Sequence, residues 1–310
     1  MHTIIAATDF SKAASNATKF AAAIAAELQA KLLLVHALEL PFNPNPLPFS
    51  TEEFEEISQS AIEQMDKLKS QLLFYTDNKI EVVTELAFGL PEAVLNGFCE
   101  KVKPFAIVLG LGNDVSTSHF IGSTVLRLLP QMKCPLLIIP ENSVFCGIRN
   151  IAIASDSEHV REKGALQSIK AWLKAFQASP LVLHVGSESE DGFEKASGDI
   201  FLYNHLKEFN PLFYSVNNKN IEEGILGLLK EKKPDFLIVI PGKYHFFKAL
   251  FHESHSKKLI LQSHLPVLAL PSDLPYQASE EPPMDSSKAF QEGDRGAGLN
   301  VAKKETPEMN

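Results

Sequence analysis

Residues 3–9 read TIIAATD, and residues 150–156 read NIAIASD. Each is a short apolar run closed by a small polar residue and an aspartate, the pattern of a buried strand that ends in a carboxylate. Three more pairs follow in the same order. Lys31–Ala37, KLLLVHA, is echoed by Ser179–Val185, SPLVLHV; Pro104–Gly110, PFAIVLG, by Pro234–Ile240, PDFLIVI; and Cys134–Pro140, CPLLIIP, by Leu265–Pro271, LPVLALP. Four matched strands in one order make the chain an internal repeat. From Asp9 to Asp156 is 147 positions and from Pro140 to Pro271 is 131, so the second copy is about 16 residues shorter. The loss falls after its second strand, where the first copy has the proline-rich ELPFNPNPLPFS and a helix-like stretch, Thr51–Tyr75.

Helical patterns separate the strands. In SKAASNATKFAAAIAAELQA, Ala17, Phe20, Ala21, Ile24 and Leu28 recur at helical spacing. Thr51 is expected to cap the next helix, with Glu52 and Glu53 in its acidic first turn. LPEAVLNGFCEKV follows Gly89 with a proline in the first turn, and EEGILGLLKEKK is the second-half counterpart, with Asn220 as its cap. Continuous apolar strands alternating with amphipathic helices predict parallel sheets covered on both faces. The fold class is α/β, two tandem doubly wound parallel-sheet domains of about five strands each. The expected boundaries are 1–145, 146–273 and a disordered tail, 274–310, rich in Pro, Ser, Glu and Gly.

The 310 residues carry a formal net charge of -9, with 45% hydrophobic and 22% charged side chains. That balance is globular, and its sign argues against sequence-independent nucleic-acid binding. No apolar run approaches a membrane span, and MHTIIAATDF has no leader pattern, so a cytoplasmic location is expected. Cys99, Cys134 and Cys146 form no metal spacing and read as reduced packing thiols.

In an open parallel sheet, ligands sit beyond the carboxyl ends of the strands where the strand order reverses. Asp9, His36–Ala37 and Gly110 all end strands, and GLGNDVSTSHFIGST fills Gly110–Thr124. Gly122-Ser123-Thr124 opens the helix-like VLRLL, where free N–H groups and hydroxyls suit a phosphate. These features resemble the universal stress protein family in its tandem two-domain form. The resemblance rests on TDFS, GLPE at 89–92, the IVLG strand, the glycine loop and KCPLLIIP. It implies a Rossmann-like, adenine nucleotide alpha hydrolase-like fold, with ATP or another adenine nucleotide as cofactor, Mg²⁺ left open, and pairing of the closing strands within the chain or between two copies. Residue by residue, it makes Thr8, Asp9, Ala37, Gly110, Gly112, Gly122, Ser123 and Thr124 the nucleotide contacts.

The family's Gly-x2-Gly-x9-Gly-[Ser/Thr] spacing fits imperfectly. Gly112 to Gly122 has the nine-residue gap, but the first glycine then falls on Leu109. Counting from Gly110 puts Asn113 at the second glycine and leaves the gap one residue short. In the second copy Glu253-Ser254-His255 replaces Gly122-Ser123-Thr124, which puts a carboxylate where phosphate would approach.

Other readings are weaker. His245, His252 and His255, with Glu253, form no complete metal signature and fit polar caps and contacts beside Phe246, Phe247 and Phe251. His36 and His184 fit local hydrogen bonds at strand ends. Asp9 and Asp156 could be bases or helix caps, and neither has a partner carboxylate at readable spacing. Ser123 lacks the GxSxG context, and no P-loop is present. Three functions stay open: a non-enzymatic nucleotide-binding stress-response module, an interaction scaffold with both sites vestigial, and a slow ATPase.

Overall fold

The computed structural model describes residues 2–39, 50–112, 123–154, 163–186, 200–217, 221–239 and 265–271. The first half runs β1 (Thr3–Ala7), α1 (Lys12–Glu27), β2 (Lys31–Leu38), α2 (Thr51–Tyr75), β3 (Val82–Phe88), α3 (Pro91–Val102), β4 (Ala106–Leu111), α4 (Ser123–Leu128) and β5 (Leu136–Pro140). The second runs β6 (Asn150–Ala154), α5 (Lys163–Phe176), β7 (Ser179–Gly186), α6 (helical over 200–206), β8 (Leu212–Asn217), α7 (Ile221–Lys232), β9 (Phe236–Val239) and β10 (Val267–Ala269). Met1–Tyr276 form one unit by contact.

All these strands join one sheet, in the order β3-β2-β1-β4-β5-β10-β9-β6-β7-β8. Each half therefore has the same internal order, and each reverses direction beside its first strand, at β1/β4 and β6/β9. Every pairing within a half is parallel. The halves meet through β5 and β10, which pair antiparallel with Leu137 opposite Leu268. The closing strands thus pair within the chain.

The strands read as unbroken apolar runs because both faces are covered. Ile4, Ala6, Leu32, Leu34, Val108 and Ile139 face a core shared with α1 and α2, which continues into the second half under α5 and α6. The alternate residues Ile5, Leu33, Val35, Ile107 and Leu109 face α3, α4 and α7. Helix α1 buries Ala17, Phe20, Ala21 and Ile24, the stripe its spacing predicts. The shortening of the second copy also lies where expected. The long α2 fills the interval between β2 and β3, and the interval between β7 and β8 is shorter.

Two sequence expectations are corrected. Helix α2 is capped by Ser50, with Thr51 as its first residue. The capping box decides this. Ser50 Oγ accepts from Glu53 N–H at 3.1 Å and the Glu53 carboxylate accepts from Ser50 N–H at 2.9 Å, a spacing Thr51 and Phe54 cannot supply. The thiols also differ. Cys99 on α3 and Cys134 before β5 are disulfide-bonded across a Cα separation of 6.2 Å, and Cys146 is free and exposed. Folding brings together two cysteines 35 residues apart, a separation with no signature in sequence. The adjoining Lys133 ammonium hydrogen-bonds Glu100 and lowers its carboxyl pKa.

The link between halves is tied at both ends. Asn16 on α1 donates to the carbonyls of Pro140 (3.2 Å) and Ser143 (2.9 Å). Asp235, just before β9, accepts from the N–H groups of Arg149 and Asn150, both at 2.9 Å. Asp235→Ala strands two backbone donors, and chemical denaturation should register a loss of about 1–2 kcal/mol. An unchanged midpoint would mean that water replaces the carboxylate without cost.

The second-half helix cap at Asn220, Asp156, the histidines from His245 to His255 and the segment 274–310 lie outside the described residues. Among the described residues no group of three or more His, Cys, Asp or Glu is placed to hold a metal ion. Among the same residues no helix is long and apolar enough to cross a membrane.

Candidate functional site

The carboxyl end of β1 is built by local hydrogen bonds. Thr8 is buried, and its N–H donates to Val35 O at 2.9 Å, continuing the β1–β2 ladder past the end of β1. Its Oγ1 accepts from Phe10 N–H at 3.0 Å, and Asp9 Oδ1 accepts from Ser11 N–H at 2.9 Å. Ser11 then caps α1, its Oγ accepting from Ala14 N–H at 3.2 Å. The strand-end aspartate is thus not the helix cap. It closes the turn two residues ahead of the cap, and its exposed side chain stands at the sheet edge.

Phe10 is the residue sequence reasoning missed. Its φ of 63° is left-handed, a conformation that costs a bulky side chain energy. Two contacts hold it there: the Thr8 hydroxyl and the His36 ring, whose centroid lies 4.6 Å from the Phe10 ring. His36 Nδ1–H donates to Thr8 O at 2.7 Å, the local strand-end bond expected for it. Nothing in the letters TDF marks this. The signal exists only in the backbone angle.

Across the sheet, Ala6 pairs with Val108 and Ala7 with Val35, so the register carries Thr8 level with Gly110 and Asp9 level with Ala37. Thr8, Asp9, Ala37, Gly110 and Gly112 therefore share one edge, at the switch point between β1 and β4. Gly122 lies outside the described residues, and Ser123 and Thr124 open α4. With six residues α4 is under two turns, so any pull it exerts on an anion comes from its end N–H groups more than from a long aligned dipole.

The two described glycines differ in kind. A methyl carbon added at Gly110 would stand 2.4 Å from both C and O of Ala13 and 2.7 Å from N of Ala14. The first turn of α1 rests directly on the β4 backbone there. At Gly112 the same carbon would meet, among the described residues, Ala13 Cβ and Glu141 Oε2, each at 3.9 Å. Gly110 is demanded by helix-on-strand packing. Gly112 leaves room at the mouth.

The charges around this edge are mixed. Lys12 Nζ, on the first turn of α1, lies 2.8 Å from Glu141 Oε1, just after β5. Arg127 on α4 sits between Glu92 of α3 at 3.2 Å and Glu39 beyond β2 at 3.7 Å. Arg127 ties α4 to its neighbours through those two carboxylates.

Comparison with known proteins matches this architecture. Residues 1–140 match the model of the universal stress protein family. "Universal stress protein E" of Photorhabdus laumondii is 30% identical over 115 residues, 36% of this chain. The match covers 33% of that relative's length. A universal stress protein from Archaeoglobus fulgidus superposes with a TM-score of 0.65 at 17% identity, over 87% of this chain and 98% of its own. At that identity the likeness concerns the fold, and its coverage takes in both halves.

Proposed function

We infer, from a chain whose residues 1–140 belong to the universal stress protein family, that it is a cytoplasmic stress-response module binding an adenine nucleotide in its first half. The observation that carries this reading is the convergence of the Thr8–Asp9 turn, Ala37, Gly110 and Gly112 on one edge at the β1/β4 switch point. Ligands of doubly wound sheets gather at that place. Thr8, Asp9 and Ala37 would face the base and ribose, and Gly112, Gly122, Ser123 and Thr124 the phosphates. Gly110 would serve by letting α1 close onto β4.

The role is binding, not turnover. Asp9 already accepts the Ser11 N–H, which holds its carboxylate in the turn. Occupancy would act by changing how the first half packs against a partner. In the reducing cytoplasm the Cys99–Cys134 pair would be open to reduction. We take 1–145 and 146–273 as the two domains, with 274–310 as a tail.

Titration calorimetry with ATP is the test. The intact protein should release heat, and Gly122→Glu, which copies Glu253, should weaken binding by about tenfold or more through charge repulsion. No heat and no thermal shift at millimolar ATP would sink this reading. A second reading, an interaction scaffold without nucleotide, would then stand. It is favoured by the antiparallel β5–β10 seam, which makes a continuous ten-stranded platform of one chain. Steady phosphate release lost in Asp9→Ala would instead indicate an ATPase.

A further inference from the structure

We propose that Lys12 is the cation that meets the nucleotide's phosphates, and that Glu141 is a built-in anion competing with phosphate for it. The proposal rests on the nucleotide reading above and names the charge that sets its affinity. Lys12, Glu141 and Gly112 are neighbours beside the end of β4. Lys12 Nζ lies 2.8 Å from Glu141 Oε1, and Glu141 Oε2 lies 3.9 Å from the point where a Gly112 side chain would begin. The Glu141 carboxylate thus touches the Lys12 ammonium with one oxygen and neighbours Gly112 with the other.

The two partners are not equivalent. The Lys12 side chain is 82% exposed and that of Glu141 only 16%. The Glu141 backbone N–H donates to Leu111 O at 2.9 Å, which fixes the carboxylate beside the β4 end. The flexible partner is the cation, and a four-carbon stem can turn it from carboxylate to phosphate.

Helix stability does not explain Lys12. A cation in the first turn opposes the helix dipole, and that turn of α1 holds no acidic residue. A residue that conflicts with its local element points to another use. The repeat supplies an independent observation. By the Asp9–Asp156 offset Lys12 corresponds to His159, and by the Pro140–Pro271 offset Glu141 corresponds to Ser272. Both members of the pair are absent from the copy in which Glu253 replaces Gly122.

The chemistry follows from charge. A phosphate beside Gly112 faces the Glu141 carboxylate, and Lys12 is the cation that both anions compete for. The more charge the phosphate offers, the better it competes. Affinity should therefore rise from AMP to ADP to ATP, and adenosine should be indifferent to the pair.

The test titrates ATP, ADP, AMP and adenosine into the intact protein, Lys12→Gln and Glu141→Gln, with thermal midpoints to check folding. Lys12→Gln should weaken ATP by about tenfold, since it removes a charge-assisted contact to phosphate. Glu141→Gln should tighten ATP by roughly threefold to tenfold, since the lysine no longer has a competing anion. Unchanged ATP affinity in Lys12→Gln would overturn the inference and leave the nucleotide reading standing. Weakening in Lys12→Gln without tightening in Glu141→Gln would overturn the masking role. Absence of binding by all four ligands to all three proteins would overturn the nucleotide reading itself.

Discussion

Gly110→Ala is expected to lower the unfolding free energy by about 3 kcal/mol, the upper end of what one added core methyl costs. The added carbon would sit 2.4 Å from the carbonyl carbon and oxygen of Ala13 and 2.7 Å from the Ala14 nitrogen. Those are backbone atoms in the first turn of a 16-residue helix, so no side chain can swing aside to make room. Helix α1 must lift from β4, and Ala17, Phe20 and Ala21, all buried beneath it, must lose contact together. Gly112→Ala is the matched control. Among the described residues its new carbon meets neighbours at 3.9 Å, and its cost should stay within about 0.5 kcal/mol. Denaturant midpoints of the two variants separate the possibilities. If both glycines exist for the ligand, both variants stay stable and lose nucleotide. If the packing argument holds, Gly110→Ala is the unstable one.

That contrast shows where sequence reading ends. Four strand pairs were legible because central strands, apolar on both faces, stand out against any background. The fifth pair, β3 and β8, was not quoted from sequence. VVTELAF and LFYSVN lie at the open edges of the sheet, where Phe88 and Leu212 are exposed and no apolar run survives. A count of five strands per half was reachable from the repeat, but these two segments were not. The antiparallel seam was likewise open between an internal and an intermolecular pairing. Leu137 and Leu268 look the same in either case.

The candidate site was legible as a set of strand ends, and less so as chemistry. Gly110 and Gly112 are one residue apart and identical in letter, yet only contact with Ala13 tells them apart. Phe10 gives no warning of its left-handed backbone. Lys12 and Glu141 are 129 positions apart, and only the fold puts them within 2.8 Å. Asp9 was expected as base or cap, and the cap fell to Ser11 because its oxygen, not that of Asp9, reaches Ala14 N–H. Spacing rules find groups that act along one element. They do not find pairs made by the crossing of two.

Trp172→Ala is expected to destabilise the chain by about 3–5 kcal/mol and to separate its unfolding into two steps. The single tryptophan is 1% exposed on α5. Its ring lies 4.6 Å from Phe105, 5.1 Å from Phe236 and 5.6 Å from Phe176. Phe176 belongs to the same helix and Phe236 begins β9, but Phe105 precedes β4 in the other half. One indole thus fills the space between two copies of the repeat. Removing it opens a cavity among Phe105, Phe176 and Phe236. The cost is a transfer loss plus lost dispersion contacts with three rings. With the seam and the continuous core, this cluster makes the stability of one half depend on the other. Phe105 and Phe236 belong to one continuous core, and the indole is its largest fully buried side chain. Circular dichroism over a denaturant series should show one transition for the intact protein and two for Trp172→Ala, with Trp172→Phe between them. A single transition at an unchanged midpoint would show that the coupling of the halves does not depend on the indole.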